Sequence, residues 1–152
     1  PDMEPALLFH FTTGLAFTGW LALLVFPHSR LAVHVWAKLV VPITLAIAYV
    51  CFMVSYWHLS PAEGSFTSLD GLAAFFTIPG LMLAGWLHYL IFDLMFGVWL
   101  LGALQRQGYH HLAVCPLLVL CMIAAPTGLL VSVAVLALTN KDIDHITTTV
   151  TP

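Results

Sequence analysis

Charge is what this sequence has least of. Charged residues make up only 7% of its 152 residues, whereas 61% are hydrophobic and the mean hydropathy is +1.01. Ordinary globular domains are about 45–50% apolar and about 25% charged. This shortage of charge excludes a soluble globular domain and indicates an integral membrane protein.

Basic residues and cysteines are also scarce. Four Lys and Arg against seven Asp and Glu give a formal net charge of -3. A nucleic-acid partner is excluded, because neutralising phosphates needs a basic face. The three cysteines lie in apolar segments without CxxC spacing, so neither a disulfide framework nor a zinc ribbon is predicted. We expect them to be small buried hydrophobic residues.

Long apolar runs are what the sequence does have. A bilayer core about 30 Å thick needs about 20 apolar residues per helix. Such runs occur at about 5–26, 36–57, 79–104 and 113–138, and they are too unbroken for the alternating strands of a barrel. We therefore predict an all-α, integral membrane four-helix bundle. It forms a single transmembrane domain over residues 1–152, with a polar C-terminal tail at about 139–152.

The basic residues predict a topology. Arg30 and Lys38 flank the first loop and Arg106 the third, and the positive-inside rule places these loops on the cytoplasmic side. Both termini are then expected on the non-cytoplasmic or lumenal side of the membrane. The long second loop, residues 58–76, is either a short helix on the membrane surface or an ordered connector.

The stretch GWLHYLIFDLMFG, residues 85–97, puts a carboxylate in an apolar run. A charge at the centre of a membrane helix costs about 2.5–3.5 kcal/mol on insertion scales, so Asp93 needs a partner or a proton. His88 lies five positions earlier, about 140° around a helix, so the two side chains do not share a face. Gly85 beside His88, and Gly97 beside Asp93, allow another helix or a flat ligand to approach.

Two further histidines fall at a similar depth. His10 lies in the early turns of the first predicted helix and His58 at the end of the second. Together with His88 they suit a zinc or non-haem iron site, if the helices turn them toward one another. The alternative is that His10 and His58 are interfacial residues that hydrogen-bond water or headgroups. The loop histidines, including His111, are expected to be solvated.

The last predicted helix carries AAPTGLL near its middle. Pro126 cannot donate to the carbonyl of Met122, which leaves a polar acceptor that neighbours must satisfy. Thr127 and Ser132 add hydroxyls and Gly128 allows close approach, so this segment is either a pocket wall or a kink with a packing role only.

These motifs resemble the ABA-deficient-four-like family, named for a plant plastid member required for neoxanthin formation. Trp86, His88, Leu90, Asp93 and Leu94 match its W-x-H-x-L-x-x-D-L signature. The P-x-G-L element is matched by Pro126, Gly128 and Leu129, and the likeness spans nearly the whole chain. The resemblance implies a four-helix membrane protein connected with carotenoids, and it brings no reaction mechanism with it.

Three functions follow as hypotheses. The first is an enzyme acting on a carotenoid or related polyene, for example isomerisation of an epoxy-xanthophyll, with His88 and Asp93 as an acid/base pair. The second is a non-catalytic carotenoid- or chlorophyll-binding subunit of a larger pigment-protein complex. The third is a metal-dependent membrane oxygenase using His10, His58 and His88.

The first hypothesis also predicts a binding groove between helices. A polyene is long and rigid, so a groove lined by aromatic side chains suits it. The residues expected to contact the ligand are Tyr89, Trp86, Phe92, Phe96, Pro126, Thr127 and Gly128, with Trp99 beside them.

Overall fold

A computed structural model describes the backbone of residues 3–139 and the side chains of residues 6–138, and its regular structure there is helical throughout. Helix α1 covers Met3–Val25, and a π-helical segment, Leu31–Val40, runs into α2, Val41–Tyr56. A 3-10 turn, Trp57–Leu59, and the short α3, Leu69–Phe75, precede α4, Pro79–Arg106, and α5, His111–Thr139. The predicted all-α class is confirmed, and residues 140–152, most of the predicted polar tail, lie outside the described residues.

Four helices are long and apolar enough to cross a membrane. They are Ala6–Val25, Leu31–Leu59, Pro79–Arg106 and His111–Leu138. The second begins five residues before the expected 36, because the chain is already helical ahead of Pro42. Each exposes many apolar side chains, as lipid-facing helices do. The protein is therefore a multi-pass membrane protein in contact with lipid.

The second span can begin before Pro42 because its first turns are π-helical, which are wider than α-helical turns. Pro42 has no N–H and its ring collides with the carbonyl four residues earlier in a regular α-helix. The segment before it is π-helical over Leu31–Val40, and the Val41 N–H donates to Trp36 O, five residues back. The Trp36 Nε1–H also donates to Thr18 Oγ1 at 3.0 Å, which ties this segment to α1.

Helix α4 is the centre of the bundle, since α1, α2 and α5 all pack against it. Its buried residues recur every three or four positions along its length, the spacing of a helix face. Gly97 lets Trp20 of α1 approach closely: an added Cβ would lie 2.6 Å from the Trp20 ring. The small residue expected to leave room beside Asp93 is thus used for helix packing.

Helix α5 is two helical arms joined by a corner. Ala124 has φ -150° and ψ 73°, which breaks the helix two residues before Pro126. A Cβ added to Gly128 would lie 2.9 Å from Cys121 Cα, although seven residues of straight helix span about 10.5 Å. Residues 111–123 extend only about 20 Å, less than the roughly 30 Å hydrocarbon core.

His111 fastens α5 to α1 at the end of the bundle that carries Arg30 and Arg106. Its Nε2 lies 2.8 Å from Leu24 O, near the C-terminus of α1, and the same nitrogen lies 3.3 Å from Cys115 Sγ. The expectation that His111 is solvated is wrong, because the tight connection after α4 places the ring between two helices. Its Nδ1 is buried without a partner among the described residues.

Candidate functional site

Asp93 lies at the midpoint of α4, the central helix. Its side chain is half-buried, and Oδ2 is buried with no hydrogen-bond partner among the described residues. The hydroxyl of Tyr89, one turn earlier on the same face, is close enough to interact with the Asp93 carboxyl. One carboxylate oxygen in the apolar interior is therefore left for another group to bind.

The corner of α5 lies near this carboxyl. The Cys121 thiol is close enough to Asp93 for an electrostatic interaction, and it also neighbours the Ser132 side chain. Ser132 is fully buried, and its Oγ meets no described group in hydrogen-bonding geometry. Irregular backbone at membrane depth occurs only where protein buries it or where it lines a cavity, and broken helices often mark binding sites.

Tyr89 connects Asp93 to an open groove. The phenol ring stacks on Trp86 with centroids 5.3 Å apart. Both rings line a groove of about 450 Å³, hereafter the Trp86 groove, with Phe76, Met82 and Gly85. The Trp86 Nε1–H donates to Thr13 Oγ1 of α1 at 2.9 Å, which fixes the indole. A ligand in this groove would touch the Tyr89 ring, whose hydroxyl reaches the carboxyl.

Two more grooves adjoin the Trp86 groove. The His10 groove, about 550 Å³ between α1 and α4, shares Met82 and Trp86 with it. The His88 groove, about 310 Å³ between α2 and α4, shares Phe76 and Gly85. Because neighbouring grooves share walls, they form a nearly continuous apolar surface around the first half of α4.

His88 and Asp93 are not brought together. The His88 ring is exposed in the His88 groove, 4.7 Å from Phe92 and 6.2 Å from Tyr49 by ring centroids. Asp93 faces Tyr89 and the corner of α5 instead. The five-residue spacing, about 140° around the helix, accounts for the separation.

The three histidines predicted as metal ligands are also apart. His10 lines the His10 groove edge-on to Phe9, and His58 is exposed in the 3-10 turn after α2. Within the described part of the chain, no three His, Cys, Asp or Glu side chains are placed to hold a metal ion. His10 and His88 therefore line different grooves, and His58 lines none of the three.

The other expected ligand contacts divide into two sets. Trp86 and Tyr89 line the Trp86 groove, whereas Phe92 is 62% exposed and Phe96 stacks on Trp99 at 5.4 Å. Neither Phe92 nor Phe96 lines any of the three grooves. At the corner of α5, Pro126 and Thr127 are exposed, and Gly128 packs on Cys121 rather than opening to a ligand.

Sequence reasoning missed Phe76, although it expected the hydroxyl of Ser132 near the proline of the last helix. Phe76 comes from the second loop and lies on Gly85, so the small residue beside His88 is already covered. The available signal for Phe76 was an aromatic pair at the end of that loop. The full burial of Ser132 beyond the bend at Ala124 was not predicted.

Comparison with known proteins identifies the family. The family model described as ABA DEFICIENT 4-like matches residues 7–131, from the first turns of α1 to beyond the corner of α5. This chain belongs to the ABA DEFICIENT 4-like family. Comparison with curated proteins and with solved structures gives no match. Family membership relates this membrane protein to neoxanthin synthesis. The matched range includes Tyr89, Asp93 and every residue that lines the three grooves except Ala6.

Proposed function

We propose that this ABA DEFICIENT 4-like protein is a carotenoid-modifying isomerase that holds its polyene in the Trp86 groove. The observation that carries the proposal is the double role of Tyr89, whose ring lines the groove and whose hydroxyl reaches Asp93. An apolar groove with a few polar groups is the usual form of a small-molecule site. Here the polar groups adjoin the ligand rather than lying at the protein surface.

The chemistry follows from that pair. When an epoxide on a polyene opens to an alcohol and an allene, a carbon loses a proton and the oxygen gains one. Asp93 would accept the carbon-bound proton and Tyr89 would donate to the oxygen. Proton transfer from Asp93 back to Tyr89 then restores both groups, so the isomerisation needs no co-reactant.

His88 takes a different role from the one its motif suggested. Because it is exposed in the His88 groove and turned away from Asp93, we assign it to ligand binding rather than to the proton-transfer pair. An imidazole can donate or accept a hydrogen bond, so it can meet an oxygen substituent of the carotenoid.

The proposal also includes the orientation of the protein in the membrane. The loops carrying Arg30 and Arg106 face the cytoplasm of a bacterium or the equivalent side of a plastid membrane. Pro79, the first residue of α4, then lies near the opposite, non-cytoplasmic or lumenal side. The grooves around the first half of α4 open to lipid in that leaflet, where a carotenoid can enter sideways.

The test is expression in a carotenoid-producing host, followed by pigment analysis with and without the protein. We expect a carotenoid to appear or disappear with the wild type and to remain unchanged with Asp93→Asn. An unchanged pigment profile, with wild-type protein present in the membrane, would overturn the proposed isomerase activity.

A non-catalytic pigment-binding subunit is the second candidate, and the placement of His88 favours it. An exposed imidazole in an apolar groove floored by Gly85 can ligate a chlorophyll magnesium as well as it can meet a hydroxyl. A visible absorption band that co-purifies with the wild type and is lost in His88→Gln, without any change in host carotenoids, would select this function.

A further inference from the structure

One edge of the Phe76 ring lies against the backbone of α4 at Gly85. A Cβ added to Gly85 would lie 2.8 Å from Phe76 Cε1 and 3.1 Å from Cζ. Such distances leave no room for a methyl group beneath the ring. Phe76 also lines both the Trp86 groove and the His88 groove, so its ring is the wall that divides them.

The neighbouring Phe75 shows that this placement is not needed to hold α3. Phe75 is only 3% exposed and packs against Trp57 and Phe66, with ring centroids 5.6 and 4.8 Å away. Phe76 is half-buried and follows the last residue of α3. Phe75 therefore anchors the short helix. The Phe76 ring meets the Phe75 ring edge-on, with centroids 5.8 Å apart, and displacing it from Gly85 would leave the contacts of Phe75 with Trp57 and Phe66 in place.

We propose that Gly85 is the floor of a binding site for the end ring of the carotenoid, and that Phe76 occupies this place until the ligand displaces it. The inference rests on the proposed function and extends it to the part of the ligand that is recognised. The edge of a six-membered ring already lies against this floor, so the place can receive one edge of a ligand ring.

The residues that line the two grooves indicate the chemical class of the ligand. Among the residues that the structure describes, none that lines either groove carries a formal charge, and the Trp86 N–H already donates to Thr13 Oγ1. Tyr89 and His88 flank Gly85, displaced from it by about 40° and 60° around α4. A ring on Gly85 would therefore have one of these side chains on each side. The site thus suits an apolar ring that carries a hydroxyl or epoxide oxygen.

The Phe76 ring stands between the groove that His88 lines and the groove that Tyr89 lines. When a ligand ring takes that place, both walls adjoin the same ligand. Phe76 and Gly85 are then the residues that determine whether a ringed carotenoid is accepted.

Binding of two purified carotenoids to the protein in detergent tests the inference. Zeaxanthin has two hydroxylated end rings and lycopene is acyclic with the same number of carbons. Induced circular dichroism in the visible range reports the protein-bound pigment. Phe76→Ala removes the resident ring, so we expect zeaxanthin to bind at least about fivefold more tightly, about 1 kcal/mol, with lycopene changed less than about twofold.

Gly85→Ala is the opposing variant, and Gly102→Ala is its matched control on the same helix. The new methyl at residue 85 raises the floor, so zeaxanthin should bind at least about fivefold more weakly. At Gly102 an added Cβ meets only Arg106 Nη1 at 3.4 Å, so that variant should bind as the wild type does.

Wild-type zeaxanthin binding that neither Phe76→Ala nor Gly85→Ala alters would overturn the ring site and leave the proposed function standing. No induced signal from the wild type with either carotenoid would instead overturn the proposed function and the ring site with it. Size-exclusion chromatography identifies a variant that misfolds. If Gly85→Ala does so, the zeaxanthin-to-lycopene affinity ratio of Phe76→Ala decides alone.

Discussion

Gly128 lies against the backbone of Cys121, seven residues earlier in the same helix. This contact is possible only because α5 turns at Ala124, and it brings Ser132 beside the Cys121 thiol. The corner lies near Asp93, so the Cys121 thiol and the buried Ser132 hydroxyl add polar groups to the interior beside this carboxyl. The close approach at Gly128 is therefore what forms the inner side of the candidate site.

Gly128→Ala tests this contact. The added methyl group would be 2.9 Å from Cys121 Cα and 3.0 Å from its N, backbone atoms that cannot move without opening the corner. We expect a loss of about 1–3 kcal/mol of stability, as for other overpacked sites, measured as a lower melting temperature in detergent. Gly14→Ala is the control, since no atom lies within 4 Å of its added Cβ. Equal melting temperatures for the two variants would contradict the close contact between Gly128 and the Cys121 backbone.

The corner shows where sequence reasoning succeeds and where it stops. The length and apolarity of the runs predict four helices, and the missing N–H of Pro126 predicts a disturbance in the last one. The size of the bend depends on how Gly128 and Cys121 pack, which no local pattern encodes. The π-helical turns before Pro42 are likewise not encoded in the apolar pattern, which predicted only a helix from about residue 36.

The sequence likewise predicts some features of the candidate site and not others. The cost of a charge in lipid singles out Asp93 from the sequence alone, and helical spacing predicts that His88 faces elsewhere. The rotation of each helix decides which side chains meet across the bundle. The sequence therefore could not show that Gly97 is covered by Trp20, nor that Phe76 covers Gly85.

Asp93→Asn separates chemistry from structure. Asparagine keeps the size and hydrogen-bonding capacity of the side chain but cannot accept a proton from carbon. We expect the variant to insert and remain monodisperse while carotenoid conversion falls at least about tenfold, about 1.4 kcal/mol in the barrier. Conversion at the wild-type rate would show that Asp93 is structural.

Tyr89→Phe removes one hydroxyl from the link between groove and carboxyl. The ring still stacks on Trp86, so carotenoid binding measured by induced circular dichroism should stay within about twofold of wild type. Conversion should fall at least about tenfold, because the oxygen loses its proton donor. If binding and conversion fall together, Tyr89 acts by shaping the groove, and the proton-donor role is lost.

His88→Gln tests the ligand-binding role. Glutamine retains hydrogen bonding but lacks the proton exchange and strong metal ligation of imidazole. We expect conversion to fall at least about tenfold with normal insertion, through a weaker or misplaced ligand. Full activity in both His88→Gln and Asp93→Asn would refute the catalytic function. Loss of a bound pigment in His88→Gln alone would indicate the pigment-binding subunit.

The topology prediction depends on the two ends of the chain. The loops with Arg30 and Arg106 belong on the cytoplasmic side by the positive-inside rule, and a chain that crosses four times returns to the side where it began. Tags at the N-terminus and the C-terminus should therefore both be accessible from the non-cytoplasmic side, as measured by impermeant labelling of intact cells or vesicles. A tag on the loop of residues 107–110 serves as the control and should be labelled only after permeabilisation.

The C-terminal tag is the informative one, because neither arm of α5 alone covers the roughly 30 Å of hydrocarbon. Tags on opposite sides would refute the predicted topology and indicate that α5 turns back at Ala124 instead of crossing.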